Sequence, residues 1–132
     1  PDPKASVRVE LRRIDTLLKD LELESVDLVR MDIEGYETAA VKGMAELIRR
    51  GRPMLLVELH PRLAGVAALI DMLDALKQRG YSNCVWIDRE SDFSWADRCD
   101  PERLSIDQAA ERLKSCRVAT VLLSADRVSI SK

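Results

Sequence analysis

The sequence has few of the features that mark a disulfide-rich, membrane-spanning or nucleic-acid-binding protein. Three widely spaced cysteines without a CxxC pair favour reduced thiols and a cytoplasmic location over a disulfide framework or a zinc site. No apolar run approaches the ~18 residues of a membrane span, and no signal-peptide pattern stands at the start. The net charge of −2 argues against a dedicated nucleic-acid binder. We therefore expect neither a membrane nor a nucleic-acid partner.

Glycine is also scarce, and its distribution excludes one common cofactor-binding motif. The five glycines are Gly35, Gly43, Gly51, Gly65 and Gly80. No two of them form a G-x-G pair, so the sequence contains no strand–G-x-G–helix unit of the kind that cradles cofactor phosphates. The chain does have 46% hydrophobic and 33% charged residues, which is the composition of an ordinary single domain with a buried core.

The hydrophobic pattern predicts strands that alternate with helices. Strands are expected over 6–14, 26–33, 53–59, 81–87 and 118–124, and helices from residue 15, over 38–50, over 61–79 and over 106–114. Asp15 is expected to cap the first helix, Gly51 to be the left-handed residue after the second, and Ser105 with Gln108 to form a capping box. This order implies one α/β domain with a mainly parallel sheet and an antiparallel terminal strand. Residues 88–117 form an irregular insertion, either a surface excursion or a substrate lid.

Charged residues stand where two of the apolar strands end. The sequence reads R-M-D-I-E-G over 30–35 and E-L-H-P over 58–61. In an open α/β sheet, ligands bind outside the carboxyl ends of the strands. If these two strands are neighbours, the carboxylates of Asp32, Glu34 and Glu58 converge with His60, the only histidine of the chain. The strand ends are therefore the predicted functional site.

Each of these residues also has a structural interpretation. Asp32 would cap the following helix or pair with the neighbouring arginine, and Glu34 and Glu37 would favour the positive end of that helix. Glu58 would be the buried partner of an amide or an arginine, and His60 a turn residue with its ring in solvent. A divalent-metal site is a further alternative, because D-x-E beside E-x-H offers oxygen and imidazole ligands.

Four stretches in fixed order carry a resemblance to a known family. They are I-D-T-L-L over 14–18, V-D-L-V-R-M-D-I-E-G-Y-E over 26–37, V-K-G-M over 41–44 and R-P-M-L-L-V-E-L-H over 52–60. Together they resemble the FkbM family of S-adenosylmethionine-dependent methyltransferases, which shows T-L-D, D-x-x-K-x-D-x-E-G-x-E, L-K-G and R-P-x-x-x-x-E in this order. Arg30 replaces the usual lysine, which keeps the positive charge but places it on a planar guanidinium. Arg13 and Ile14 replace Thr-Leu.

The resemblance implies a Rossmann-like class I methyltransferase sheet with strand order 3-2-1-4-5-7-6. The strands found here would correspond to the fourth to seventh, and the glycine-rich turn after the first strand is absent. We therefore expect the chain to be the truncated, acceptor-side C-terminal portion of the fold and to be inactive alone. S-adenosylmethionine is the cofactor expected for the full-length enzyme, with no cofactor-binding residues assigned here. The exposed edge of the strand over 26–33 predicts a homodimer, a swap or cover by the strand over 6–14.

The function implied by the resemblance is O-methylation of a hydroxyl on a sugar or secondary metabolite. Asp32 and His60 are the predicted catalytic residues, one of which removes the hydroxyl proton. Substrate-binding roles are predicted for the remaining charged residues: Arg30, Glu34, Glu37 and Glu58. The alternative is a non-catalytic binding or assembly module that retains the methyltransferase fold.

Overall fold

The computed structural model describes residues 7–87 and 101–126. The elements in chain order are α1 (Ile14–Asp20), β1 (Leu28–Met31), α2 (Glu37–Gly43), α3 (Ala45–Gly51), β2 (Met54–Leu59), α4 (Pro61–Ala64), α5 (Val66–Gln78), β3 (Asn83–Ile87), β4 (Pro101–Leu104), α6 (Ile106–Arg112) and β5 (Ala119–Ser124). The strands form one sheet in the order β1-β2-β5-β3-β4.

The directions of the strands correct the prediction of a mainly parallel sheet. Only β1 and β2 pair in parallel, whereas β5 is antiparallel to both β2 and β3, and β4 is antiparallel to β3. β4 and β5 therefore run in the direction opposite to β1, β2 and β3. β4 turns back beside β3, and β5 lies between β2 and β3. The order β1-β2-β5-β3 is the order 4-5-7-6 that the resemblance implies. The architecture is consistent with a methyltransferase-like α/β fold.

The two faces of the sheet have different environments. Successive strand residues point to opposite faces, and the paired registers place all buried apolar side chains of β2 on the same face as those of β5. This face packs against α3, α5 and α6 through Met31, Leu55, Val57, Leu59, Ile48, Leu69, Leu73, Ile106, Val121 and Leu123. The opposite face is open at its β1–β2 side, where Arg30 is exposed and Leu56 and Glu58 are half-buried.

Two of the expected helices are each broken once. Met44 (φ −116°, ψ 25°) separates α2 from α3, and Gly65 (φ 85°) separates α4 from α5. The left-handed residue after α3 is Arg52 (φ 45°), so the prediction for Gly51 is wrong. The break at Met44 has a packing reason, because it turns this fully buried side chain into the core.

Asp15 caps a different helix from the predicted one. Its two carboxylate oxygens accept hydrogen bonds from the backbone N–H groups of Glu46 and Leu47, both at 3.0 Å. These are free amides of the first turn of α3, which exist only because the helix restarts after Met44. The carboxylate therefore fixes α1 to α3 instead of starting its own helix. The predicted capping box of Ser105 and Gln108 is confirmed at the start of α6.

The predicted strand over 6–14 is wrong for the part of it that the structure describes. Residues 7–13 pair with no strand there, and Val7, Val9 and Leu11 are 83%, 71% and 80% exposed. Alternating side chains alone do not make a strand when no neighbour supplies the backbone hydrogen bonds. Within the described ranges the outer edge of β1 has no paired strand.

Residues 88–100, where part of the predicted insertion falls, lie outside the described residues. The part of that region which is described contains β4, which the sequence analysis did not predict, and α6, which it did. Cys84 has a free thiol, Sγ of Cys116 lies 3.8 Å from the backbone oxygen of Leu113, and Cys99 lies outside the described residues. No helix of the described segments has the length and apolar character needed to cross a membrane.

Candidate active site

The turn between β1 and α2 bends sharply toward the neighbouring strand end. Glu34 and Gly35 both have left-handed backbones, with φ of 50° and 100°. A Cβ atom on Gly35 would lie 2.7 Å from the Cβ of Leu63 in α4, which is closer than carbon atoms approach. Glycine is therefore required both for the backbone conformation and for the close packing. As a result of this turn, the side chain of Glu37 lies next to His60, the residue that follows β2.

Glu37 is completely buried and connects this turn to His60. Its Oε1 atom accepts the backbone N–H of Gly35 at 3.0 Å and lies 2.9 Å from Nδ1 of His60. Its Oε2 atom is buried without a hydrogen-bond partner among the described residues. A buried carboxylate is costly unless it is hydrogen-bonded or paired, so these contacts hold Glu37 and the imidazole together.

His60 directs its second ring nitrogen toward the open face of the sheet. The residue is 6% exposed, so the interpretation of a turn residue with a solvent-facing ring is wrong. Nε2 lies 3.5 Å from Oε2 of Glu34 and 3.8 Å from Oε1 of Glu58. Burial by itself lowers the pKa of His60, but the hydrogen bond to Glu37 and the charges of the three glutamates outweigh it and raise the pKa above its ordinary value.

A shallow cleft of about 180 Å³ runs along the open face beside these groups. Its lining residues are Arg30, Met31, Asp32, Leu56, Glu58, Ile87 and Thr120. Nη2 of the exposed Arg30 lies 3.9 Å from Oδ2 of Asp32, so the predicted pairing of these two is present as a loose, solvent-exposed contact. Asp32, Glu58 and His60 each offer one ligand atom, and these atoms lie within 4.8 Å of one another. A divalent ion is the group that this trio could hold.

The structure brings most of the predicted site residues together. Asp32 and Glu34 follow β1, Glu58 and His60 stand at the end of β2, and the parallel pairing of the strands places all four at one edge of the sheet. Arg30 lines the same cleft. Glu37 is the exception, because a fully buried carboxylate beneath the histidine does not support the predicted direct contact with a substrate.

Sequence reasoning missed the contributions of Ile87 and Thr120. Both line the cleft because β5 lies between β2 and β3, with Thr120 opposite Glu58 and opposite Ile87. The signal was available in the family strand order, which places the seventh strand beside the fifth. Thr120 supplies a hydroxyl near Glu58, so the cleft offers a neutral hydrogen-bonding group as well as charges.

Comparison with known proteins adds one finding. A family model described as the methyltransferase FkbM domain matches residues 2–82, which extends on both sides of the four stretches that carry the resemblance. No curated protein and no solved structure matches the chain. Because the matched residues make up more than half of the sequence and include every charged residue described above, the chain belongs to the FkbM methyltransferase family.

Proposed function

We propose that these residues form the acceptor side of an S-adenosylmethionine-dependent methyltransferase that methylates a hydroxyl of a sugar or a secondary metabolite. The observation that carries the proposal is the orientation of His60. A buried ring is held at Nδ1 by a buried carboxylate, while Nε2 faces Glu34 and Glu58, the second of which lines the cleft at the strand ends. A nitrogen in this position is suited to accept a proton from a bound hydroxyl.

The proposed reaction needs a base on this side of the sheet. S-adenosylmethionine, when bound, supplies an electrophilic methyl group on a positively charged sulfur. Nε2 of His60 would accept the proton that the acceptor hydroxyl loses when it takes up this methyl group. Asp32 is the second candidate base, since its carboxylate lies beside the same cleft. The rest of the acceleration comes from alignment of the oxygen with the methyl group.

The surrounding carboxylates suit both the acceptor and the cofactor. Glu34, whose side chain is 74% exposed, and Glu58, whose side chain is 16% exposed, both lie within 3.8 Å of Nε2, where their carboxylates would accept hydrogen bonds from the hydroxyls of a polyol. Their negative charges also complement a sulfonium ion. The planar guanidinium of Arg30 is suited to bind a carboxylate or another anionic group of the acceptor.

The experiment that tests the proposal uses the protein encoded by the full open reading frame and methyl-labelled S-adenosylmethionine. We expect label to appear as a methyl ether on at least one compound of a panel of sugars and polyhydroxylated metabolites. Label on nitrogen or carbon, or no transfer with any acceptor, would overturn the proposal. Loss of cofactor binding as well, measured by calorimetry, would favour the binding or assembly module instead. The 132-residue chain alone is expected to bind the cofactor weakly or not at all, because its sequence has no G-x-G turn.

A divalent-metal site is the second candidate, and one observation favours it. Asp32, Glu58 and His60 present two oxygens and one nitrogen within 4.8 Å, which is a ligand set that Mn²⁺, Fe²⁺ or Zn²⁺ accepts. If an ion binds, a concentration of 100 times its Kd stabilises the fold by about 2.7 kcal/mol and raises the melting temperature. The shift should disappear with EDTA and in an Asp32→Asn variant. A melting temperature that does not respond to any of these ions removes this candidate.

Location and self-association belong to the same proposal. We propose that the reaction takes place in the cytoplasm, in keeping with the free thiol of Cys84. We also propose that a second copy of the chain covers the outer edge of β1, where Leu28 is 47% exposed. Light scattering is then expected to give a dimer. A monomer at high concentration with fast amide exchange in β1 contradicts this assignment.

A further inference from the structure

We propose that Glu37 is a positioning residue that keeps the Nδ1–H tautomer of His60 and thereby leaves the lone pair of Nε2 directed at the cleft. The sequence analysis assigned Glu37 to substrate binding, and its burial assigns it a different task. The inference deepens the proposed function, on which it depends only for the use of Nε2 as the base.

The geometry around Oε1 of Glu37 determines which ring nitrogen carries the proton. This oxygen accepts the backbone N–H of Gly35 at 3.0 Å, so it faces two nitrogens as an acceptor. Nδ1 of His60 lies 2.9 Å away from the same oxygen, and two lone pairs at that distance would repel each other. Nδ1 is therefore the donor. In the neutral ring, which has one N–H, Nε2 then carries the lone pair.

The same arrangement also disfavours a flipped orientation of the His60 imidazole. Glu37 is 0% exposed and its Oε1 is held by the turn at Gly35, so the acceptor cannot move to follow a rotated imidazole. A ring flipped by 180° would place a carbon atom against Oε1 and lose the hydrogen bond between Nδ1 and Glu37. The charged groups that face the ring are Glu37 from α2, Glu34 from the turn, Glu58 from β2 and Asp32, which follows β1. All four are acidic and favour the ring that has gained a proton at Nε2.

The test uses the fact that the chain contains a single histidine. In a ¹⁵N-labelled sample, the two ring nitrogens give one unambiguous set of signals, and their shifts report which nitrogen is protonated. At a pH above the titration of the ring, we expect Nδ1 to be the protonated nitrogen and Nε2 the unprotonated one. Wild-type protein with the proton on Nε2, or with a mixture like that of free imidazole, overturns the inference without any substitution.

Three variants separate positioning from mere support of the fold. Glu37→Gln keeps an acceptor oxygen for Gly35 and His60 but removes the charge, so the tautomer should persist while the ring titrates at lower pH. Glu37→Ala should lose the tautomer preference. Glu34→Gln is the matched control, because it removes a charge near Nε2 and leaves the Nδ1 contact intact, so its tautomer should equal that of the wild type. Loss of the tautomer in Glu34→Gln, or its retention in folded Glu37→Ala, contradicts the role of Glu37.

The tautomer of His60 can be measured whether or not the protein transfers a methyl group. If the tautomer is as expected and no hydroxyl is methylated, the proposed function fails and the assignment of Glu37 to His60 remains. If methyl transfer occurs and Nε2 carries the proton in the neutral ring, the inference fails and the function remains. Should Glu37→Ala not fold, the wild type and Glu37→Gln still decide between these results.

Discussion

Replacement of His60 by asparagine is expected to slow methyl transfer about 10²–10⁴-fold, which is the contribution of a positioned general base. Asparagine is chosen because its amide N–H occupies a position close to Nδ1 and continues to donate to Glu37. The buried carboxylate then keeps a partner, whereas His60→Ala would leave it unpaired and destabilise the fold. The rate of transfer at saturating cofactor, measured in the protein from the full open reading frame, checks this result.

Two further variants complete that experiment. Asp32→Asn reduces the rate strongly only if Asp32 is the base in place of His60, so the pair of variants identifies which group takes the proton. Glu111→Gln on the surface of α6 is the control for loss of one negative charge, since its carboxylate is engaged only with Lys114 among the described residues. Rates close to the wild type in both His60→Asn and Asp32→Asn would remove both residues from the mechanism.

Substitution of Gly35 by alanine is expected to lower the free energy of unfolding by about 2–6 kcal/mol, as the sum of backbone strain and overpacking. The backbone at Gly35 has φ of 100°, which residues with a Cβ rarely adopt. The new methyl group would also lie 2.7 Å from the Cβ of Leu63. Because the same residue donates its N–H to Glu37, the displacement would loosen the support of His60.

Gly51→Ala is the matched control for this prediction. A Cβ atom on Gly51 meets nothing within 4 Å, and the residue is helical, at the end of α3. Alanine there should leave stability unchanged or raise it by about 0.4–1 kcal/mol through reduced freedom of the unfolded chain. Denaturant unfolding of both variants measures the difference. Equal stabilities would mean that the turn relaxes without strain and does not fix the site.

The parts of the fold that sequence predicted well are those governed by local chemistry. β2 runs over Met54–Leu59 against an expected 53–59, and the reciprocal bonds of Ser105 and Gln108 start α6 as their spacing indicates. The failures have long-range causes. Asp15 bonds the amides of Glu46 and Leu47, some thirty residues away, and no local pattern contains that contact.

The site was predictable at the level of strand ends but not at the level of contacts. Parallel neighbours bring their carboxyl ends together, so the sequence alone places Asp32 and His60 at one edge of the sheet. The spacing of Glu34 and Glu37 could not show that one remains in solvent and the other is buried. That difference arises from the left-handed turn at Gly35, whose direction depends on packing against Leu63.

The most direct test of the central claim is the position of the acceptor in a crystal structure of the full protein with S-adenosylhomocysteine and the methyl acceptor. We expect the acceptor oxygen to lie about 2.6–3.2 Å from Nε2 of His60, the range in which a base receives a proton directly. Nδ1 should remain bonded to Glu37 in that complex. An acceptor oxygen out of reach of both His60 and Asp32 would contradict the assignment of this cleft as the site of methyl transfer.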